Sequence, residues 1–430
     1  MLERLFHLRA HGTDWGREVL AGATTFLTMA YIIFVNPAIL ADAGMDRGAV
    51  FAATCIAAAI GSAMMGLYAN YPIALAPGMG LNAFFTYGVV LGMGHSWQLA
   101  LGAVFVSGCL FLLLALTKVR EAIINSIPPS LKLAISAGIG LFLGIIALKN
   151  AGIITGHQAT LVTLGDVKQP HAILAVIGFV VMVALDARKV PGAIMIAILG
   201  TTAVGMALGL TPFVGVMSMP PSLAPTLLQM DVLGALNLGL VTIVFAFLFV
   251  DMFDNAGTLI GLAHRAGMLD EKGRLPRIGR ALVADSIAAM ASGVLGTSTT
   301  TSYIESAAGI KAGGRTGLTA LVVAALFLLA LFLAPLAGSI PAYATAPALM
   351  FVACLMARGL ADIVWDDMTD AVPAVVTALA MPLTFSIAHG ISFGFISYAA
   401  IKVLAGKWRE LNPTVAVLAV LFVLKYAVLG

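Results

Sequence analysis

Charge is scarce in this sequence. Asp, Glu, Lys and Arg supply 10% of its 430 residues, against roughly a quarter in an ordinary soluble domain, and that scarcity excludes a water-soluble globular protein. The net charge is only +3, and the cations sit at the ends of apolar runs instead of in one basic block, so no nucleic-acid partner is expected. Cysteine is scarce too: Cys55, Cys109 and Cys354 lie in separate apolar segments with no C-x-x-C or histidine spacing, which argues against a disulfide framework or a metal site. No Gly-x-x-x-x-Gly-Lys-Ser/Thr loop occurs, so nothing suggests ATP drive, and no cofactor is expected. The polar first 18 residues lack a small-residue cleavage site ahead of the first apolar run, so no removable signal peptide is expected.

What is abundant is apolar surface. Hydrophobic residues make up 61% of the chain and the mean hydropathy is +1.04. Together with repeated apolar runs of about 20 residues, the length that crosses a hydrocarbon core, this predicts an all-α polytopic membrane protein embedded in a lipid bilayer. Fourteen transmembrane segments are predicted, near 19–40, 47–69, 72–90, 97–117, 130–150, 171–186, 191–210, 236–263, 279–297, 300–311, 317–338, 342–359, 371–387 and 389–405. With the N-terminus in the cytoplasm, nineteen Lys and Arg fall on the inner side and three, Arg47, Lys149 and Lys168, on the outer side. That asymmetry follows the positive-inside rule and sets the expected orientation in the inner (plasma) membrane. The last apolar stretch, 411–429, contains Lys425; an interfacial helix, a further crossing and part of a shifted last span all stay open.

Segments 3 (YPIALAPGMGLNAFFTYG) and 10 (GTSTTTSYIESAAGIKAGG) are short and interrupted by Gly, Pro or Thr, and each is the third apolar segment of a block of seven. An odd block length turns the second copy upside down in the membrane. Paired interrupted segments in two inverted repeats point to a transporter that binds its cargo at the midplane between half-helices.

Carboxylates inside apolar segments are costly and therefore candidate functional groups. Asp251 and Asp254, in FLFVDMFDNAGTLIG, stand three residues apart on one helical face. Two acids so close in a low dielectric are not both ionised, which suits one of them to carry a proton. Glu305 follows the hydroxyl run Thr299, Thr300, Thr301 and Ser302, a setting for a polar, hydrogen-bonding cargo. Asn82, after APGMGL, is the equivalent polar residue of segment 3, and its amide both donates and accepts. Asp285, about two turns into segment 9, is expected to pair with the nearby basic loop. His7 and His11 have i, i+4 spacing but no third ligand, and read as a solvated face.

TTFLTMAYIIFVNP (24–37), APGMGLNAFF (76–85), FDNAGTLIGLAHRAGMLD (253–270), TSYIESAAGIKAGGRTGLTA (301–320) and YATAPALMFVACLM (343–356) resemble the AzgA-like purine permeases of the nucleobase/cation symporter-2 superfamily, from about residue 4 to the C-terminus. The resemblance implies two inverted repeats of seven with half-helices in segments 3 and 10. It also implies a core domain from 1–117 and 236–338, and a gate domain from 118–235 and 339–430. Its functional positions fall on Asn82, Asp251 and Glu305, with Asp254 and Gly80 beside them. A planar purine offers ring nitrogens that carboxylate, amide and hydroxyl groups such as Thr300 and Thr301 can read, and faces on which Phe84, Phe85 and Phe253 can pack. Proton-coupled purine uptake by elevator-like alternating access is thus expected, with Asp251, Asp254 and Glu305 as proton-coupling candidates. Adenine is favoured over guanine and hypoxanthine, sodium coupling stays open, and so does a homodimer. The competing reading is a carrier of the same fold for xanthine, uracil or an inorganic anion. An intramembrane aspartyl protease, the enzymatic reading, needs its two Asp on separate spans, whereas Asp251 and Asp254 share one.

Overall fold

A computed structural model describes residues 2–117, 127–157, 160–237, 241–265, 268 and 275–428. Helix α1 (Trp15–Met29) begins where the Asp14 carboxylate accepts the Arg17 N–H at 3.0 Å, a cap for one of the orphan amides of a first turn. It breaks at Ala30 and Tyr31 and resumes as α2 (Ile32–Asp42). Asp46 caps α3 (Arg47–Met64) in the same way. A short strand β1 (Leu75–Pro77) then precedes α4 (Met79–Ala83), which runs on as a wider helix to Gly92. Helices α5 (Trp97–Leu116) and α6 (Pro129–Asn150) follow, then the hairpin β2 (Ile154–His157) and β3 (Leu161–Leu164), α7 (Pro170–Ala187) and α8 (Ala193–Ala207).

The second half repeats the pattern with α9 (Val241–Arg265) and α10 (Ile278–Leu295), strand β4 (Thr300–Ser302), the six-residue α11 (Ser306–Lys311), and α12 (Gly317–Ala330). Helices α13 (Ala342–Ala357), α14 (Met368–Thr384), α15 (Ile387–Leu404) and α16 (Pro413–Val428) complete it. Among the described residues, nine helices are long and apolar enough to cross a membrane by length and composition, and shorter apolar helices occupy Met79–Gly92, Ala193–Ala207, Ile243–Met252 and Met368–Thr384. Most predicted segments are apolar helices, whereas 72–90 and 300–311 are each a strand followed by a helix, a short one in 300–311. The stretch 411–429 forms a separate helix, α16, packed on α15.

The helices pack as two sets. In one, α10 lies along α3 and α5, α12 along α1 and α3, and α9 along α5. In the other, α13 and α14 lie along α6, α7 and α8 along α13, and α15 along α14. Each set draws on both halves of the chain. They meet where α9 touches α6 and α15 and where α4 touches α6.

The two interrupted segments lie together inside the first set. β1 and β4 pair antiparallel, with Leu75 opposite Ser302, Ala76 opposite Thr301 and Pro77 opposite Thr300, all buried. Non-helical backbone at membrane depth is tolerated only where its polar groups find partners within the protein. Here they do. The Gly78 N–H donates to the Thr299 carbonyl at 2.9 Å, and the Tyr303 N–H to the Ala74 carbonyl at 2.9 Å. The Ser62 hydroxyl of α3 accepts the Leu75 N–H at 2.9 Å, and the Ser306 hydroxyl accepts that of Ala74 at 3.0 Å. Gly296, at φ +91°, ends α10 in the left-handed region and turns the chain toward β4.

At one end of the second set, the buried Lys402 ammonium donates to Glu410 at 2.7 Å and to Asp370 at 3.4 Å, tying the start of α14 to the α15–α16 connection. Neighbouring Lys407 donates to Asp367 at 2.7 Å and, with the Thr369 hydroxyl and N–H, holds that carboxyl well below the usual carboxylate range.

Glu18, fully buried on α1, secures the start of α12. Its carboxylate accepts the N–H groups of Arg315 (2.9 Å), Thr316 (3.3 Å) and Thr319 (3.1 Å) and the Thr319 hydroxyl (2.6 Å). Glu18→Ala takes this acceptor from the Arg315 and Thr316 N–H groups and leaves Thr319 only its longer bonds, from its N–H to the Thr316 carbonyl at 3.2 Å and from its hydroxyl to the residue-18 carbonyl at 3.4 Å, so the expected loss is about 2 kcal/mol or more. Thermal unfolding of the detergent-solubilised protein should show a markedly lower midpoint for Glu18→Ala and a smaller drop for Glu18→Gln. An unchanged midpoint in both would remove Glu18 from this role.

Candidate functional site

The strand pair delivers polar side chains into an otherwise apolar interior. Asn82 stands one turn into the helix after β1 and is fully buried; its Oδ1 accepts the Ser298 hydroxyl, and its Nδ2 has no partner. The hydroxyls of Thr86, Thr299 and Thr301 are also buried and unpartnered. Thr300 is engaged elsewhere, accepting the Ser292 hydroxyl of α10 at 2.8 Å. A buried donor left unpaired costs about 1–3 kcal/mol, and these groups stand together with the break in the fold. Beside it, Asn36 of α2 donates to Thr54 at 2.7 Å and to Thr297 at 2.8 Å, which fixes the chain just ahead of Ser298.

Glu305 follows β4 and is half-buried at the first turn of α11. The Tyr31 hydroxyl donates to its Oε1 at 2.7 Å, so the break between α1 and α2 serves to bring Tyr31 to this carboxylate. Asp251 lies on α9, 3% exposed, and α9 packs against α4, β4 and α11. Asn82, Asp251 and Glu305 thus come from three elements gathered round one strand pair. The side chains of Phe253 and Asp254 lie outside the described residues. Phe84 is fully buried and packs its ring against Phe247 of α9, centroids 4.8 Å apart, holding α9 to the half-helix.

Asp285 reaches toward α9. It is fully buried and accepts a hydrogen bond from the Asn255 amide, which also donates to Asp251 at 3.2 Å. The basic loop with which its position in the chain suggested a pairing lies largely outside the described residues. Sequence reasoning missed Asn255, Tyr31 and Ser298. For Asn255 a signal existed: an amide one helical turn after Asp251, in an apolar run, shares its face.

Gly80 sits where the two sets meet. A Cβ there would lie 2.6 Å from the Ile139 Cγ2 of α6, so the half-helix touches the other set through bare backbone. Gly80→Ala should destabilise the protein in detergent, as should Ile139→Ala, which removes a buried side chain at about 2–5 kcal/mol. Combined, the two should cost less than their sum by more than about 1 kcal/mol, because the second removes the atom that the first strikes. Strict additivity would mean that the contact is not tight.

Two sets of helices joined across half-helices, with a polar site at the break, define a membrane transporter. The same fold occurs in the transmembrane domain of a cyanobacterium bicarbonate transporter, BicA (TM-score 0.67, 17% identity, 88% of this chain and 96% of that one). It occurs also in SLC26A9 (TM-score 0.65, 13% identity, 90% of this chain and 65% of that one). At these identities the likeness concerns the fold alone. The model of the permease family matches residues 16–424, and the chain belongs to that family. Over 99% of its length it is 50% identical to the adenine permease AdeP of Escherichia coli, covering 96% of that protein. It is 47% identical to the guanine/hypoxanthine permease PbuG of Bacillus subtilis, again over 99% of this chain and 99% of that one.

Proposed function

We propose that this permease takes up a purine nucleobase, adenine foremost, together with protons. The observation that carries the reading is the fully buried Asn82 amide with an unpaired Nδ2 at one end of a hydroxyl-rich strand pair and Glu305 at its other end, in a chain half identical to an adenine permease. A purine presents ring nitrogens that accept from an amide and N–H groups that donate to a carboxylate. In this reading Asn82 and Glu305 read the edge of the base, with Gly80, Thr300 and Thr301 shaping the site and Phe84 and Phe253 forming its apolar wall. Asp251, Asp254 and Glu305 are the proton-coupling groups.

Residues 1–117 and 236–338 form a core and 118–235 and 339–430 a gate. The base binds between them, against the half-helix that meets α6 at Gly80. The proton neutralises a carboxylate and the uncharged base satisfies the polar groups that would otherwise oppose burial, and the loaded core then moves past the gate in an elevator-like step. The distribution of Lys and Arg supports a cytoplasmic N-terminus and an inner (plasma) membrane location. Selection of an inorganic anion is disfavoured, because carboxylates would face a charge of their own sign.

The test is uptake of labelled adenine, guanine, hypoxanthine, xanthine and uracil, each with and without a protonophore. Adenine should accumulate and the protonophore should collapse that accumulation; uptake that persists without a proton gradient and requires sodium overturns the coupling. Asn82→Ala should keep a near-normal melting temperature yet lose most of the stabilisation that adenine confers. Glu305→Gln should weaken adenine binding by roughly tenfold or more, about 1.4 kcal/mol, whereas Asp251→Asn should chiefly abolish proton-driven accumulation. If Asp251→Asn accumulates adenine with native pH dependence, Asp251 is not a coupling group.

A further inference from the structure

Asn255 makes three hydrogen bonds with one side chain. Its Nδ2 donates to Asp251 Oδ1 on its own helix, at 3.2 Å, and to Asp285 Oδ2 on α10. Its Oδ1 accepts the Ser302 N–H of β4, also at 3.2 Å. The orientation of the amide is fixed by chemistry, since the flipped form would set an oxygen against two carboxylates and an NH2 against an N–H donor. Asn255 and Asp285 are fully buried and Asp251 is 3% exposed.

Two consequences follow from that geometry. Carboxylate oxygens bonded to one nitrogen lie within about 6.4 Å of each other, and two acids that close, cut off from water, do not both hold a negative charge. The amide that bridges them is also the anchor of β4, whose register with β1 leads directly into the helix bearing Asn82.

We propose that Asp251 and Asp285 form one shared proton site, and that Asn255 is the positioning residue that links its occupancy to the strand beneath the purine. This rests on the proton-coupled reading above and changes its partner: the second acid is Asp285 of α10. With the proton bound to one carboxylate, the pair carries a single charge and both acids stay on the Asn255 amide. When the proton leaves, two like charges face each other across that amide and the Asn255–Ser302 bond loses its fixed geometry, so base and proton favour the same position of β4.

Other titratable or charged groups surround the two helices. Asp254, His264 and Arg265 are on α9 and Arg280 on α10; α5 brings Cys109, α3 Arg47 and Cys55, and the turn after α3 Tyr68. Glu305 and Lys311 flank α11, Lys132 and Lys149 lie on α6, and His389, Tyr398 and Lys402 lie on α15. Glu305 stands three residues from Ser302 and is the competing site for the linked proton, so the test includes it.

The experiment measures adenine affinity of the purified full chain from about pH 5 to 8. If one proton is linked to binding, the wild-type Kd should fall by up to about tenfold per pH unit as the pH is lowered. Asp285→Asn and Asp251→Asn should each flatten that slope, and the double variant should add nothing to either, because one site has been removed twice. Asn255→Ala keeps both acids but cuts the bond to Ser302; it should flatten the slope as well, and it carries the test if an Asp variant is not recovered folded. The proposal is overturned if Asp285→Asn or Asn255→Ala retains the native slope, or if the slope is lost only in Glu305→Gln. Failure of the underlying reading looks different: wild-type accumulation would then be indifferent to the proton gradient, whatever the variants do.

Discussion

Backbone amides and carbonyls inside an apolar bundle have no water to bond, and among the described residues β1 and β4 each interrupt the helices there. These two interruptions complete each other. β1 and β4 supply most of each other's missing hydrogen bonds, and Ser62, Ser306 and the Tyr303 hydroxyl, which donates to the Pro77 carbonyl at 2.6 Å, supply others. The rest of the site depends on this. Asn82 and Glu305 reach the interior because each follows one of the paired strands, and Asn255 has a backbone N–H to hold because β4 ends beside α9.

The same constraint shapes the meeting of the two helix sets. A continuous helix would present side chains all round, whereas the half-helix after β1 presents Gly80 to Ile139. Contact through a glycine lets the backbone of α4 come close against Ile139 of α6, closer than any side chain at that position would allow. Polar anchors such as Glu18 and the Lys402 cluster bind elements within a set, Glu18 joining α1 to α12 and Lys402 joining α14 to α15.

Much of this was legible in the sequence, and the reasons are physical. Glycine, proline and threonine interrupt segments 3 and 10 at matching positions, and the structure pairs those two segments. Asn82, Asp251 and Glu305 stood out because a polar residue in an apolar run has few inexpensive explanations. What was not legible is partnership across the chain. Tyr31 meets Glu305 over 274 residues, Glu18 meets Thr319 over 301, and Asn255 reaches Asp285 over 30 and Ser302 over 47. No periodicity encodes such distances. The bond from Asn255 of α9 to Asp285 was equally hidden, because the neighbours of Asp285 in sequence are basic and draw attention to themselves. The break at Ala30 and Tyr31 carries no Gly or Pro and so gave no warning.

The pairing of β1 with β4 also sets an order of events in synthesis. Tyr303 and Pro77, joined by one hydrogen bond, stand 226 residues apart, and a ribosome adding about 5–20 residues per second needs roughly ten seconds or more to close that gap. Throughout that interval the first half of the chain has entered the bilayer with a strand whose partner does not yet exist. Its exposed amides must be shielded by the insertion machinery, by water drawn in beside it, or by delaying its descent between the helices. Biogenesis of this protein is therefore bound to the completion of its second half, and a chain truncated before residue 300 is left with an open strand edge in a solvent that cannot satisfy it.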